Sequence, residues 1–298
     1  MLDRMSTDYF HCRKHYEALP GVKTVRGGPY RFALAPGPVQ DCLAEHFAEV
    51  DDMIRGGERA KTSTESSAAV CTLPGGQKVF IKRNGYRGGY HSLKYFFLPA
   101  RVFRAALAAE RVEKAGIATP RVLAAGEKRR ARVLLGGYLI TEVVTDACDL
   151  MTYVEKRTDA PAGMPALIRE TARVAAVLHA AGFYHGDLKL VNLYRTADDA
   201  PCGVWDLDSA QMFPGEVPHD LIVRELGRIA SSILIFAEHN PAFPDSFFRL
   251  EQVASDLLGA YSASAKTPAP SQDEVMETAR TRWLNRRKLR FDYGGKPA

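Results

Sequence analysis

His185-Gly186-Asp187-Leu188-Lys189-Leu190-Val191-Asn192 is followed, after a short interval, by Val204-Trp205-Asp206-Leu207-Asp208. The two segments set a carboxylate, an amide oxygen and a second carboxylate in order along the chain. Phosphoryl transfer needs a carboxylate beside the acceptor hydroxyl and oxygen ligands that hold Mg²⁺ on the nucleotide phosphates. Asp187 has the chemistry for the first task. Asn192 and Asp206 have it for the second, because Mg²⁺ is a hard cation that prefers oxygen. A polar surface loop is the plain alternative, but several coupled positions agree in order, which chance seldom arranges. Lys189 can neutralise charge on the transferring group; an exposed lysine is the alternative. His185 joins the catalytic group, with bracing of the backbone favoured over acid–base duty. Asp208 shares a face with Asp206 if the segment is a strand, which makes it outer support.

Upstream, Ser67 to Leu73, Pro74-Gly75-Gly76 and Gln77 to Lys82 read as strand, turn, strand. Lys82 is expected to end the second strand, where a lysine can reach the nucleotide α- and β-phosphates. Its expected partner is a Glu on the helix read from Ala100 to Ala115. That helix offers Glu110 and Glu113, with Glu110 preferred. Lys61 to Ser67 should cover the phosphates but has no glycine; backbone N–H groups and hydroxyls can still bind phosphate. The Walker pattern G-x-x-x-x-G-K-[ST] is absent, which excludes a P-loop ATPase. Glu142-Val143-Val144 follows a strand and is expected to bond an adenine edge through backbone groups, which places Glu142 and Val144 among the nucleotide contacts.

The spacing from Asp187 to Asn192 matches the protein-kinase catalytic loop. The chain around it divides accordingly. Tyr30 to Leu34, Arg121 to Ala125, Arg132 to Leu135 and Tyr138 to Glu142 read as strands. Val39 to Ile54, Ala166 to Ala181, Leu221 to Phe236 and Phe247 to Tyr261 have helical spacing, and Gly182 caps the second of these. The expected architecture is α+β and bilobal, a protein-kinase-like fold with a β-rich N-lobe and a mostly helical C-lobe. Residues 1–58 form an N-terminal extension packed on the kinase domain, 59–144 the N-lobe, and 145–298 the C-lobe with a basic tail. The third position of the triplet that starts at Asp206 is Asp208 and not glycine, so a mobile D-F-G switch is not expected.

The 298 residues, 46% of them hydrophobic, suffice for a sizeable core. A formal charge of +5 predicts no nucleic-acid partner. Arg280, Arg282, Arg286, Arg287, Lys288 and Arg290 crowd the C-terminus and suit either an anionic membrane surface or a solvated helix face. Five scattered cysteines without a C-x-x-C pair suggest free thiols in a reducing compartment. No apolar run approaches the ~20 residues of a membrane span, and no signal peptide is read at the start. The expectation is a cytoplasmic protein able to touch a membrane.

Several segments resemble the lipopolysaccharide kinase family, which contains the kinases of inner-core heptose and of the Kdo sugar. They are Val79 to Lys82, Tyr86 to Gly89, Ser92 to Pro99, Gly116 to Pro120, Leu139 to Glu142, Leu178 to Gly182, His185 to Asn192 and Val204 to Gln211. The catalytic loop is common to all protein-kinase-like folds. The Asp-Leu-x-x-Ala-Gln end and the Thr119-Pro120 approach point to this branch. The resemblance implies ATP with Mg²⁺, a sugar hydroxyl of a glycolipid as acceptor, and work at the cytoplasmic face of the inner membrane. Two departures stand out. Relatives often carry the helix Glu where this chain has Ala105, and Arg224-Glu225 stands where an Arg/Lys-Asp pair is common. The Lys82 partner and the helix's link to the catalytic loop are thus left open. A protein or small-molecule kinase of this fold, or a degenerate binding module, are the alternatives.

Overall fold

The computed structural model describes residues 6–62, 66–85, 95–156, 160–197, 200–239 and 249–292. Two compact units emerge: Met1–Glu110 with Pro120–Val144, and Arg111–Thr119 with Thr145–Ala298. The N-terminal part is rich in sheet and the C-terminal part is helical.

In the first unit come α1 (Ser6–Glu17), β1 (Lys23–Gly27), β2 (Tyr30–Leu34), α2 (Gln40–His46), α3 (Val50–Gly56), β3 (Glu58–Thr62), β4 (Ser66–Thr72) and β5 (Lys78–Gly85). Next are α4 (Val102–Lys114), whose last turn belongs to the second unit, then β6 (Val122–Arg130) and β7 (Val133–Glu142). Among the described residues these strands form one antiparallel sheet in the order β1-β2-β6-β7-β5-β4-β3. Residues 23–34 thus supply two strands of the sheet itself.

Alternation explains β5. Val79 and Ile81 point into the core and Lys78 to solvent. They pack with Phe32, Leu34, Tyr138 and Ile140. Lys82 lies inside β5 and does not end it. The ladders to β4 and β7 run on to Asn84 and Gly85, so pairing on both sides carries the strand further than its apolar run. Likewise Val133–Leu135 and Tyr138–Glu142 are parts of one strand, because Gly136 and Gly137 keep their pairing with Gly85 and Asn84, whereas Arg132 belongs to the preceding turn. Val39 to Ile54 is helical, but a 3₁₀ turn at Phe47–Glu49 separates α2 from α3.

The second unit holds β8 (Cys148–Asp149), α5 (Leu150–Glu155), α6 (Ala160–Ala180), β9 (Phe183–Tyr184), β10 (Leu193–Arg195), β11 (Gly203–Val204) and β12 (Gln211–Met212), then α7 (His219–His239), α8 (Leu250–Ser264) and α9 (Gln272–Asp292). α7 buries Leu226, Ile229, Ala230 and Ile233 along one face. It packs on α9, and α6 packs on α8. Gly182 ends α6 with φ +67°, and a Cβ there would lie 2.5 Å from the Gly215 oxygen, so no larger residue fits. The five cysteines are free thiols. Among the described residues no helix is long and apolar enough to cross a membrane.

Tyr86–Gly89, Ser92–Lys94 and part of the phosphate-covering segment (63–65) lie outside the described residues, as do the side chains of Arg286, Arg287, Lys288 and Arg290.

Candidate active site

Two short ladders clamp the catalytic-loop segment. β9 pairs with β12, Tyr184 opposite Gln211; β10 pairs with β11, Leu193 opposite Val204. The stretch between β9 and β10 therefore runs beside the stretch between β11 and β12. Further bonds lock them. Trp205 donates its backbone N–H to Asn192 O (3.2 Å) and its indole N–H to Val191 O (2.8 Å), and its ring stacks on Tyr194.

Asp187 sits at the centre, its side chain about a quarter exposed. Lys189 Nζ donates to its Oδ2 at 2.9 Å, and Arg228 Nη1, from α7, donates to its Oδ1. Asn192 Nδ2 donates to the Asp187 carbonyl at 2.8 Å and to Oδ2 at 3.1 Å. Burial by itself raises the Asp187 carboxyl. The hydrogen bond and charge of Lys189, with the charge of Arg228, outweigh it and hold the group below the ordinary aspartate value.

Both Asn192 bonds use Nδ2, so the amide oxygen lies on the far side of the group from Asp187. Asp206 is exposed and left-handed, φ +60° and ψ +57°. A non-glycine residue held there marks local backbone strain of the sort that gathers at functional sites. Asp206 precedes a 3₁₀ turn at Leu207–Ser209 and does not continue β11. Asp206 and Asp208 are accordingly not alternate residues of one strand face, since the left-handed residue turns the chain at that point. Among the described residues no three His, Cys, Asp or Glu side chains gather around a point. Mg²⁺ on a nucleotide does not require that: it takes one or two protein oxygens and completes its shell with phosphate and water. The amide oxygen of Asn192 and the carboxylate of Asp206 fit such a donor set.

His185 is fully buried. Its Nε2 lies 3.1 Å from Trp205 O, and its Nδ1 accepts the Asp187 N–H at 3.3 Å. A carbonyl only accepts and an N–H only donates, so the ring is the neutral Nε2–H tautomer. Both nitrogens are committed to backbone, which leaves the ring a brace between Asp187 and the Asp206 turn.

Glu225, on α7, makes the link that its aspartate-like position left open. The His185 N–H donates to Oε2 (3.0 Å), the Gly186 N–H to Oε1 (2.7 Å), and His179 Nε2 lies 3.2 Å from Oε2. Tyr261 holds the other His179 nitrogen at 2.9 Å. Burial of Glu225 raises its carboxyl, but the His179 bond and charge and the hydrogen bond from the His185 backbone N–H together bring it below the ordinary value. Gly186 allows this approach. Its φ is +79°, and a Cβ would sit 2.6 Å from Ser209 O. Gly186→Ala is expected to cost about 1–3 kcal/mol through strain, read as a lowered midpoint in chemical denaturation, with activity falling alongside.

The expected nucleotide residues lie in the first unit. Lys82 is half-buried in β5, opposite Ala68 on β4 and Leu139 on β7. Glu110 is half-buried on α4, where its charge adds to burial in raising the Tyr16 hydroxyl. Glu142 donates its N–H to Arg121 O at 3.0 Å, and its carboxylate lies 3.6 Å from Arg121 Nη1. The Glu142 N–H is therefore engaged within the sheet.

Arg228 escaped notice in the sequence. Its signal was helical spacing: it stands three residues after Glu225 on α7, so both side chains reach the same loop.

Residues 74–230, just over half of the chain, match the model of the lipopolysaccharide kinase (Kdo/WaaP) family. No curated protein sequence matches. A solved structure, described as WaaP in complex with acyl carrier protein, is similar at a TM-score of 0.57 and 19% identity, over 86% of this chain and 97% of that one. At that identity the likeness is one of fold.

Proposed function

The chain belongs to the lipopolysaccharide kinase (Kdo/WaaP) family, and from that membership we propose that it transfers the γ-phosphoryl group of ATP to a sugar hydroxyl of the lipopolysaccharide inner core, heptose or Kdo, or of a related glycolipid. The observation that carries this reading is the Asp187 carboxylate, ionised, held by Lys189, Arg228 and Asn192 and still open to a cavity. In this reading the fold is bilobal and protein-kinase-like. Asp187 orients the acceptor hydroxyl and takes its proton. Lys189 offsets negative charge on the transferring group. His185 holds the loop.

Mg²⁺ bound by Asn192 and Asp206 would supply charge neutralisation on the phosphates. Lys82, partnered by Glu110, holds the phosphates, and the backbone at Glu142 and Val144 meets the adenine edge. The protein works at the cytoplasmic face of the inner membrane, peripherally on an anionic surface, without nucleic acid.

The test is purified protein with γ-labelled ATP, Mg²⁺ and fractionated cell-envelope glycolipid, with mass analysis of the product. Label in the lipid is expected. Label on protein instead, or no Mg²⁺-dependent stabilisation by ATP in thermal unfolding, would sink the reading. Asp206→Asn suits the left-handed backbone, so the fold should survive. The transfer rate is expected to drop by about 10²–10³-fold, and the stabilisation by ATP with Mg²⁺ to vanish.

A further inference from the structure

Beside Asp187 the second unit has an open cavity of about 680 Å³, at whose edge Arg224 is exposed. α7 and α9 build most of its wall, which carries Lys189, Arg224, Arg228 and Arg282 against two acids, Asp187 and Glu277. Lys189 and Arg228 are paired with Asp187. Arg224 and Arg282 stand in no ion pair among the described residues. Arg282 is half-buried; that burial, then the charges of Arg228 and Arg224, push its guanidinium below the ordinary arginine value. The Nε of Arg228 is buried without a hydrogen-bond partner. Gathered cations repel one another; the Asp187 charge acts on Arg282 in the opposite sense, but four cations face only two acids in this wall. Guanidinium groups in such a setting match a carboxylate or phosphate, which they hold by paired N–H bonds. Ser232, Thr281 and Asn285 add neutral polar groups of the kind that meets sugar hydroxyls.

We propose that this cavity receives the acceptor and that Arg224 and Arg282 hold an acidic group on it, a carboxylate or a phosphomonoester close to the hydroxyl that reacts. The kinase then selects acidic sugars over neutral ones, and α9 carries a specificity determinant. The inference rests on the reading of Asp187 as the residue that meets the acceptor hydroxyl. It accounts for the sign of the wall, in which cations outnumber acids four to two.

Calorimetric titration of the full chain at low salt, with no ATP, tests the proposal apart from catalysis. The probes are Kdo and its methyl ester, and mannose 6-phosphate and mannose. At least one acid should bind about tenfold tighter than its neutral partner, roughly 1.4 kcal/mol. The arm that responds says whether carboxylate or phosphate is read. In Arg224→Gln/Arg282→Gln the preference should vanish, while the melting temperature stays near that of the parent. In the transfer assay either single substitution should raise the acceptor KM about tenfold and leave the ATP KM alone. Acids and neutral partners that bind alike, including no measurable binding by any probe, would overturn the proposal, as would a preference that survives both substitutions. Because the titration needs no transfer, it can fail while glycolipid phosphorylation stands, and the reverse.

Discussion

Asp187→Asn is expected to lower transfer to the glycolipid by about 10³-fold and to shift the melting temperature by no more than a few degrees. Asparagine has the same shape but takes no proton, and it holds Lys189 and Arg228 more weakly. The stability change is small because the pairs with Lys189 and Arg228 face a cavity, and partly exposed ion pairs contribute about 0–1 kcal/mol each. The pH dependence follows from the depressed carboxyl. A group whose folded pKa lies below its unfolded value stabilises the fold above the unfolded value, near 3.9 for aspartate, and loses that contribution as pH falls through the folded one. Asp187 thus stays ionised at every pH from mildly acid upward, and the acid limb of its titration lies below about pH 4. A kcat profile with an acid limb near neutrality would assign that limb to another group. An Asp187→Asn protein that transfers phosphate at the parent rate would remove Asp187 from the mechanism.

Glu225→Ala should be the most destabilising single change in the second unit. The carboxylate is fully buried and accepts from His185 N–H, Gly186 N–H and His179. Its removal strands two backbone donors and a histidine, at a cost of about 3–5 kcal/mol, or roughly 10 °C in melting temperature for a chain of this size. Glu225→Gln keeps one acceptor and offers an N–H where another is needed, so about 1–3 kcal/mol is expected. Both should slow transfer, because the backbone before Asp187 loses its anchor. The native carboxyl is depressed. The advantage of the parent over Glu225→Gln is therefore full above the ordinary glutamate value near 4.3 and shrinks as pH falls below it. Urea titrations of the two proteins at pH 7 and pH 4 check both the size and the sign. Equal midpoints at pH 7 would show that α7 does not anchor the loop.

Legibility in the sequence followed the range of the interactions. Val79 and Ile81 face the core because alternation is local, and Gly182 caps α6 because a left-handed residue needs no distant partner. The reach of β5 past Lys82 was hidden, because two neighbouring strands set it. So was the turn at Asp206, where a reading as strand ignored the left-handed backbone.

By itself the sequence determined that the polar side chains of the loop lie close together. Asp187, Lys189 and Asn192 lie within six consecutive positions, and so short a segment has few ways to arrange them. Only the tertiary structure decided what surrounds them. Arg228, Glu225 and Arg282 reach the loop from α7 and α9, some forty to ninety-five positions away. Which helix face meets the loop depends on how α7 packs on α9, and that packing is a property of the whole apolar core, which no local spacing records.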